Sequence, residues 1–344
     1  MESPGNGKRV YPLQRPVGHK VLNPRWTVKF PEEVKYVCTL YMSIQLHEND
    51  QTVRAIAEQN VEQLLNEAGP NAPATIEVYW VTAGSDVVTS RVWIAHWTRV
   101  EAFCAKIKQF DFLRTWHDLG PSKARIGLWR EQFPGLARLP NVSQAAHDTT
   151  EYWGAGRDRI KLSSHDLFET SSELGKLAVY PKGFAQRLTG FNYDNMCHIR
   201  SGQYWELCSN QEREAYETDL QKKLMKGMQY LWEHPEETGT IGLRFGRKVD
   251  EDGRLLRETS AMGFHRNWAD LEQWSSRHPS HLAIFTGAMK HNKRFGDARR
   301  FMTWQEVSIL KAGEAKFLHQ LQPKDWSHPV GEPSKRTIVE PEWK

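Results

Sequence analysis

Apolar positions along the chain switch repeatedly between a period of two and a period near 3.6. Val34-Lys35-Tyr36-Val37-Cys38 opens a β-branched and aromatic run that reads as a strand through residue 46. Over residues 50–66, Val53, Ile56, Ala57, Val61 and Leu64 recur at helical spacing, and Gly69-Pro70 ends the run. Thr75–Thr82 and Val87–His96 flank a turn at Gly84-Ser85-Asp86, which predicts a hairpin. Thr98 is placed to cap a helix carrying Val100, Phe103, Ile107 and Phe110, and a last strand follows near Arg125–Phe133. Strand, helix, strand, strand, helix, strand is the order of a ferredoxin-like unit.

The order recurs. Residues 194–203 read as a strand, and Gln211–Trp232 as a long helix with Tyr216, Leu220, Leu224 and Met228 on one stripe. Thr238–Phe245 and Glu258–Phe264 pair across an Asp250-Glu251-Asp252-Gly253 turn. Asn267 caps a helix with Trp268, Leu271 and Trp274, and residues 301–310 supply a strand. Aligning the second helices sets His96-Trp97-Thr98 against Phe264-His265-Arg266, and Leu113 against His281. The predicted fold is therefore α+β: two tandem ferredoxin-like units of the dimeric α+β barrel type, sheets face to face, enclosing an apolar pocket. The expected layout is an N-terminal arm (1–33), a first unit (34–135), a connecting segment (136–192), a second unit (193–320) and a C-terminal tail (321–344).

Composition narrows the function classes. The 344 residues are 39% hydrophobic and 26% charged, a balance that excludes a disordered or collagenous chain. No apolar run approaches the roughly 18 residues of a membrane span, so no membrane partner is expected. The net charge of +4 is uneven: residues 1–30 carry +5 and the rest of the chain −1. A basic, proline-punctuated arm before a neutral body is read as an extended segment, on this chain or a neighbouring subunit, and gives no nucleic-acid site. Four scattered cysteines (Cys38, Cys104, Cys197, Cys208), with no Cys-x-x-Cys and no apolar leader, point to reduced thiols and a cytosolic compartment.

The chemistry-bearing candidates are few. His278-Pro279-Ser280-His281 follows the last helix of the second unit, near the expected pocket. A neutral imidazole there suits an axial haem ligand. Most of the 14 histidines belong to the surface or a satisfied core, and a zinc site would need ligands that His-x-x-His alone does not supply. Two further clusters, Glu151–Arg159 and Asn195–Gln203, set Arg157, Arg159 and Arg200 among small and aromatic residues. Ion pairing at a surface or interface is the plain reading of those arginines. A buried one would need a carboxylate, such as a haem propionate.

At these residues the sequence resembles the haem-containing aldoxime dehydratases. The resemblance rests on Tyr152-Trp153-Gly154, Arg157-Asp158-Arg159, Ile199-Arg200-Ser201-Gly202-Gln203, Arg277-His278-Pro279-Ser280-His281 and Glu306-Val307-Ser308. It implies haem b, ferrous in the active state, and conversion of an aldoxime to a nitrile and water by direct coordination of the substrate nitrogen. It also implies a homodimer, His281 as the proximal ligand, Arg159 as the distal arginine and Ser201 as the distal hydroxyl.

The sequence departs from the family at the acid. The histidine expected immediately before Glu306-Val307-Ser308 is Gln305, which can hydrogen-bond but cannot deliver a proton near neutral pH. Ala137–Ala145 also lacks the carboxylate that the family carries in its connecting segment. Three haem-based expectations follow. One is a dehydratase with another proton donor, such as His265, His291 or water. The second is an enzyme acting on a different N–O or N–N substrate, and the third a non-catalytic haem sensor. In a haem-free binding module, by contrast, His281 would be ordinary core.

Overall fold

A computed structural model describes residues 9–21, 25–31, 33–34, 36–46, 51–85, 89–120, 126–134, 143–169, 186–321 and 338–341. After β1 (Arg25–Lys29), the first set of elements is β2 (Cys38–Leu46), α1 (Gln51–Asn66), β3 (Thr75–Gly84), β4 (Ser90–Trp97), α2 (Val100–Gln109), α3 (Phe112–Asp118) and β5 (Ile126–Pro134). Then come β6 (Ser143–His147), α4 (Ala155–Arg159) and β7 (Gln186–Phe191). The second set is β8 (Met196–Tyr204), α5 (Asn210–Ala215), α6 (Gln221–Glu233), α7 (Pro235–Thr238), β9 (Thr240–Val249), β10 (Leu255–His265), α8 (Trp268–Arg277), α9 (Pro279–Phe295) and β11 (Met302–Leu310). β12 (Lys316–Leu321) and β13 (Ile338–Pro341) close the chain. A π-helical stretch, Tyr216–Leu220, joins α5 to α6.

Eleven strands form one antiparallel sheet in the order β11-β8-β10-β9-β3-β4-β2-β5-β12-β7-β13. The two sets have the same internal order, with the first strand of each between its third and last, and β3 pairs with β9 to join them. β2 is buried along nearly its whole length because both of its faces are covered. Leu40, Met42 and Ile44 meet Val53, Ala57 and Val61 of α1 and Phe103 of α2. Tyr41, on the opposite face, joins Tyr79, Trp129 and Phe133 against Met196, Met262, Phe264 and Leu310 of the second set. Opposed faces of one bent sheet thus form an inner layer. A second outer layer sets α6 and α8 against β8, β9 and β10. Each large apolar side chain so buried contributes about 1.5–3 kcal/mol.

Several expectations are corrected here. Arg99, not Thr98, is the N-cap of α2, and no side chain completes that cap; Asn267 does cap α8, accepting from the Asp270 N–H. β12, and β13 within the stretch expected as a tail, lengthen the sheet beside β5 and β7. The described part of the arm lies on its own chain, with β1 paired to β6 from Arg25↔His147 to Lys29↔Ser143. Cys38, Cys197 and Cys208 are buried free thiols and Cys104 an exposed one. Among the described residues, no helix is long and apolar enough to cross a membrane.

Candidate functional site

The register of β8 and β11 sets Ser201 directly opposite Gln305, and on its other side Ser201 is opposite Ala261 of β10. Directly opposed side chains of an antiparallel pair leave the sheet on the same side. Ile199 and Val307, two residues along each strand, share that side. They pack with Ile309 in the apolar cluster that holds Trp268, Leu271 and Trp274 of α8 and Ile284 of α9. Ser201, half-buried, and Gln305, exposed, therefore face the helix layer.

His281 stands in that layer, one turn before Ile284. The motif follows α8 directly, as the sequence suggested, and a further helix starts there, so that His281 lies in the first turn of α9. The new helix starts where it does because Pro279 fills its first position and His278 caps it, with His278 Nδ1 accepting from the Ser280 N–H at 3.2 Å. His278 is thereby committed to the backbone. The His281 ring meets Trp274 edge-on at 4.7 Å. Burial pushes its pKa below the ordinary histidine value, with the Ser275 backbone opposing the shift, so the imidazole is neutral at pH 7. Its Nδ1 is buried without a hydrogen-bond partner. A neutral ring with an unsatisfied nitrogen beside an apolar layer fits an axial haem ligand. Among the described residues, no three His, Cys, Asp or Glu side chains converge to hold a bare metal ion.

The other face of the same strands is a charge network. Arg200 lies opposite Glu306 and donates to it at 3.0 Å, and to Glu77 of β3 at 2.7 Å. It also reaches the Tyr79 hydroxyl at 3.3 Å and His96 Nε2 at 3.4 Å, and the Trp304 ring lies 4.9 Å from its guanidinium carbon. Burial opposes the Arg200 charge, but Glu306 and Glu77 together hold its pKa well above the ordinary arginine value. Burial would raise the Glu77 pKa; Arg200 and then Lys248 outweigh it and leave the carboxyl well below the usual range. Burial and then Arg200 push His96 down to about 3, so it is neutral. Arg200 is therefore no surface residue. Its ion pair with Glu77 joins the two sets, that with Glu306 lies within the second, and its guanidinium is committed to protein carboxylates.

Arg159 ends α4 and donates from Nη1 to the Thr149 carbonyl at 3.1 Å; Ile160 beside it packs on the cluster that Ile199 and Val307 share. The exposed Arg159 thus stands at the border of the helix layer. Neither substitute acid suggested by the sequence shares the Ser201–Gln305 rung. His265 is four residues along β10 from Ala261, about 13 Å away, and burial pushes its pKa down to about 4. His291 is ten residues beyond His281 on α9, about 15 Å along the helix. Of the segment Ala137–Ala145, residues 137–142 lie outside the described residues, and 143–145 belong to β6.

Two side-chain partnerships escaped sequence reasoning. Glu77 is a lone carboxylate in an aromatic strand, 123 residues from Arg200. Asp158 is buried between two arginines, with its carboxylate turned to residues of the arm. A charge in an otherwise apolar strand was the only available sign of the first.

Comparison with known proteins gives the family and the fold. Over 323 residues, 88% of this chain and 90% of the relative, the sequence is 25% identical to phenylacetaldoxime dehydratase of Bacillus sp. (strain OxB-1). It is 27% identical to aliphatic aldoxime dehydratase of Pseudomonas chlororaphis over 313 residues, 86% and 87% of the two chains. The fold matches the crystal structure of aldoxime dehydratase OxdRE in complex with butyraldoxime, with a TM-score of 0.82 at 22% identity over 95% of this chain and 94% of that one. A second aldoxime dehydratase structure matches with a TM-score of 0.80 over 95% and 96%. The family model for haem-containing dehydratases matches residues 41–319, from within β2 into β12. The chain belongs to the haem-containing dehydratase family.

Proposed function

We infer that this chain is a haem-dependent lyase converting an aldoxime, R–CH=N–OH, to a nitrile and water. The observation that carries the reading is the pairing of Ser201 with Gln305 on the face turned toward the helix layer of His281. Similarity along nearly the whole length to dehydratases of aryl and aliphatic aldoximes supports it. The strand order supports two tandem ferredoxin-like units, 34–135 and 193–320, with the haem pocket in the second, and the resemblance implies a homodimer.

His281 would hold the haem from the α9 side through its neutral ring. Bound as ferrous haem b, the group would supply coordination of the oxime nitrogen and electron density to weaken the N–O bond. The Ser201 hydroxyl would donate to the oxime oxygen and orient it. The Arg159 cation would stabilise the departing hydroxide. The reaction removes a proton from carbon and adds one to the leaving oxygen. Gln305 can donate an amide N–H to that oxygen but has no proton to transfer, so water at the rung would carry it. A positioned acid is worth about 100- to 10,000-fold, and the rate should be lower by an amount in that range.

Gln305 also favours a second reading: a haem enzyme of the same fold whose N–O or N–N substrate needs no titrating group at that position. One experiment separates the two. Purified protein supplied with haem should show a Soret band, and the reduced protein should form nitrile from aryl or aliphatic aldoximes under anaerobic conditions. Gln305→His should raise that rate. A Soret band without nitrile in either form would leave the second reading, and no Soret band would overturn both.

A further inference from the structure

The basic arm is tied to the chain on both sides of Arg159. Val10 and Tyr11 donate their backbone N–H groups to the Ser164 carbonyl at 2.9 and 3.0 Å, and Arg9 reaches Ser163 Oγ at 3.1 Å. His19 Nε2 donates to the Thr150 carbonyl at 2.8 Å, and Arg15 pairs with Asp148. Between these ties the Gln14 N–H donates to Asp158 Oδ2 at 2.8 Å, and the same oxygen accepts the Tyr152 hydroxyl at 2.8 Å. The edge of Tyr152 meets the His19 ring at 5.1 Å. Gly154, at φ 96°, lets Gln14 lie directly on the backbone: a Cβ there would stand 1.8 Å from Gln14 Oε1.

Three residues of the motif Tyr152-Trp153-Gly154…Arg157-Asp158-Arg159 thus touch the arm: Tyr152 by ring and hydroxyl, Gly154 by its missing side chain, Asp158 by its carboxylate. Arg159 follows Asp158 immediately and anchors to the Thr149 carbonyl, next to the Thr150 carbonyl that His19 holds. We propose that the arm is a positioning element of the active site: residues 9–19 clamp the 148–164 segment, and Asp158, bridging Gln14 and Tyr152, fixes the backbone from which Arg159 reaches the bound ligand. The clamp stands on these contacts alone; its effect on the ligand rests on the reading of Arg159 under Proposed function.

The test uses full-length, haem-loaded protein. The arm-side variant is Arg15→Ala with His19→Ala, the dock-side variant is Asp158→Ala, and Arg159→Ala is the reference. Hydrogen exchange over residues 148–160 should quicken roughly tenfold or more in both clamp variants, with β8–β11 protected as in the unsubstituted protein. In the reduced, carbon monoxide-bound form, the C–O stretch reports positive charge beside the ligand. It should shift in the clamp variants in the direction set by Arg159→Ala, while the Soret band and haem content stay unchanged. Unchanged exchange over 148–160 in the arm variant overturns the clamp. Quickened exchange with an unmoved stretch, where Arg159→Ala moves it, overturns the positioning role. A stretch that Arg159→Ala itself leaves unmoved overturns the assignment of Arg159, while quickened exchange would still support the clamp. Should Asp158→Ala fail to fold, the arm variant alone decides, since Arg15 is exposed and His19 only half-buried.

Discussion

Trp304 lies across Gly202 so closely that a Cβ on residue 202 would stand 2.0 Å from the indole. The two are directly opposed on β11 and β8, one step along from the Ser201–Gln305 rung. Close approach of the ring also leaves it over the Arg200 guanidinium, with the indole N–H donating to Glu258 at 3.3 Å. Gly202→Ala should displace Trp304 and cost about 1–3 kcal/mol, as overpacking does. Thermal unfolding checks it; an unchanged midpoint would mean the ring has room to move.

Arg200 is the more costly position. Replacing it with Met leaves Glu77 and Glu306 buried without their main partner, a loss of about 3–5 kcal/mol. Urea unfolding of Arg200→Met should show that loss. In the triple variant Arg200→Met/Glu77→Gln/Glu306→Gln much of it should return, because no uncompensated charge remains. If the triple variant is as unstable as the single one, packing and not charge explains the position.

Two histidines three residues apart should separate cleanly. His278 closes the start of α9, so His278→Ala should cost about 0.5–2 kcal/mol and leave haem retention intact. His281→Ala should abolish or greatly weaken haem retention. Soret absorbance after gel filtration, read beside the unfolding midpoint, distinguishes a lost cap from a lost ligand.

Acid should destabilise the fold before it reaches the carboxylates. Burial pushes His96 and His198 down to about 3 and His265 to about 4, so all three stay neutral in the folded chain. Unfolded histidines take up protons below about 6.5. The unfolded state then binds more protons, and stability falls as pH drops from about 6.5 toward 3. Glu77 adds to this at the acid end: its folded pKa is depressed, so its contribution is present above about 4.5 and is lost as pH falls further. Denaturant midpoints at pH 7.5, 6 and 5 should fall steadily; a flat series would contradict burial of the three rings.

Much of the secondary structure was legible because periodicity is a local property. The second-set helix capped by Asn267, the β9–β10 pair and the strand at 301–310 each appear within a few residues of their sequence signals. What could not be read depends on contacts between distant segments. Ser201 and Gln305 were each visible as members of motifs, but their shared rung follows from the register of two strands about a hundred residues apart. Arg200 looked like a surface group because nothing near it in sequence announces Glu77. The arm was legible as an extended segment lying on a surface, but not its docking site, because its partners at 148–164 lie more than 130 residues away in sequence.

The β3–β9 pair has a consequence for dissection of the molecule. A fragment beginning at residue 193 would keep His281, Ser201 and Gln305 but would leave the outer side of β9 without its ladder partner. It would also bare Met196, Met262 and Phe264, which rest against the first set. An open strand edge beside uncovered apolar surface invites self-association. The half that carries His281 is thus no portable module: the half removed covers its open edge and apolar surface, and takes Arg159 with it.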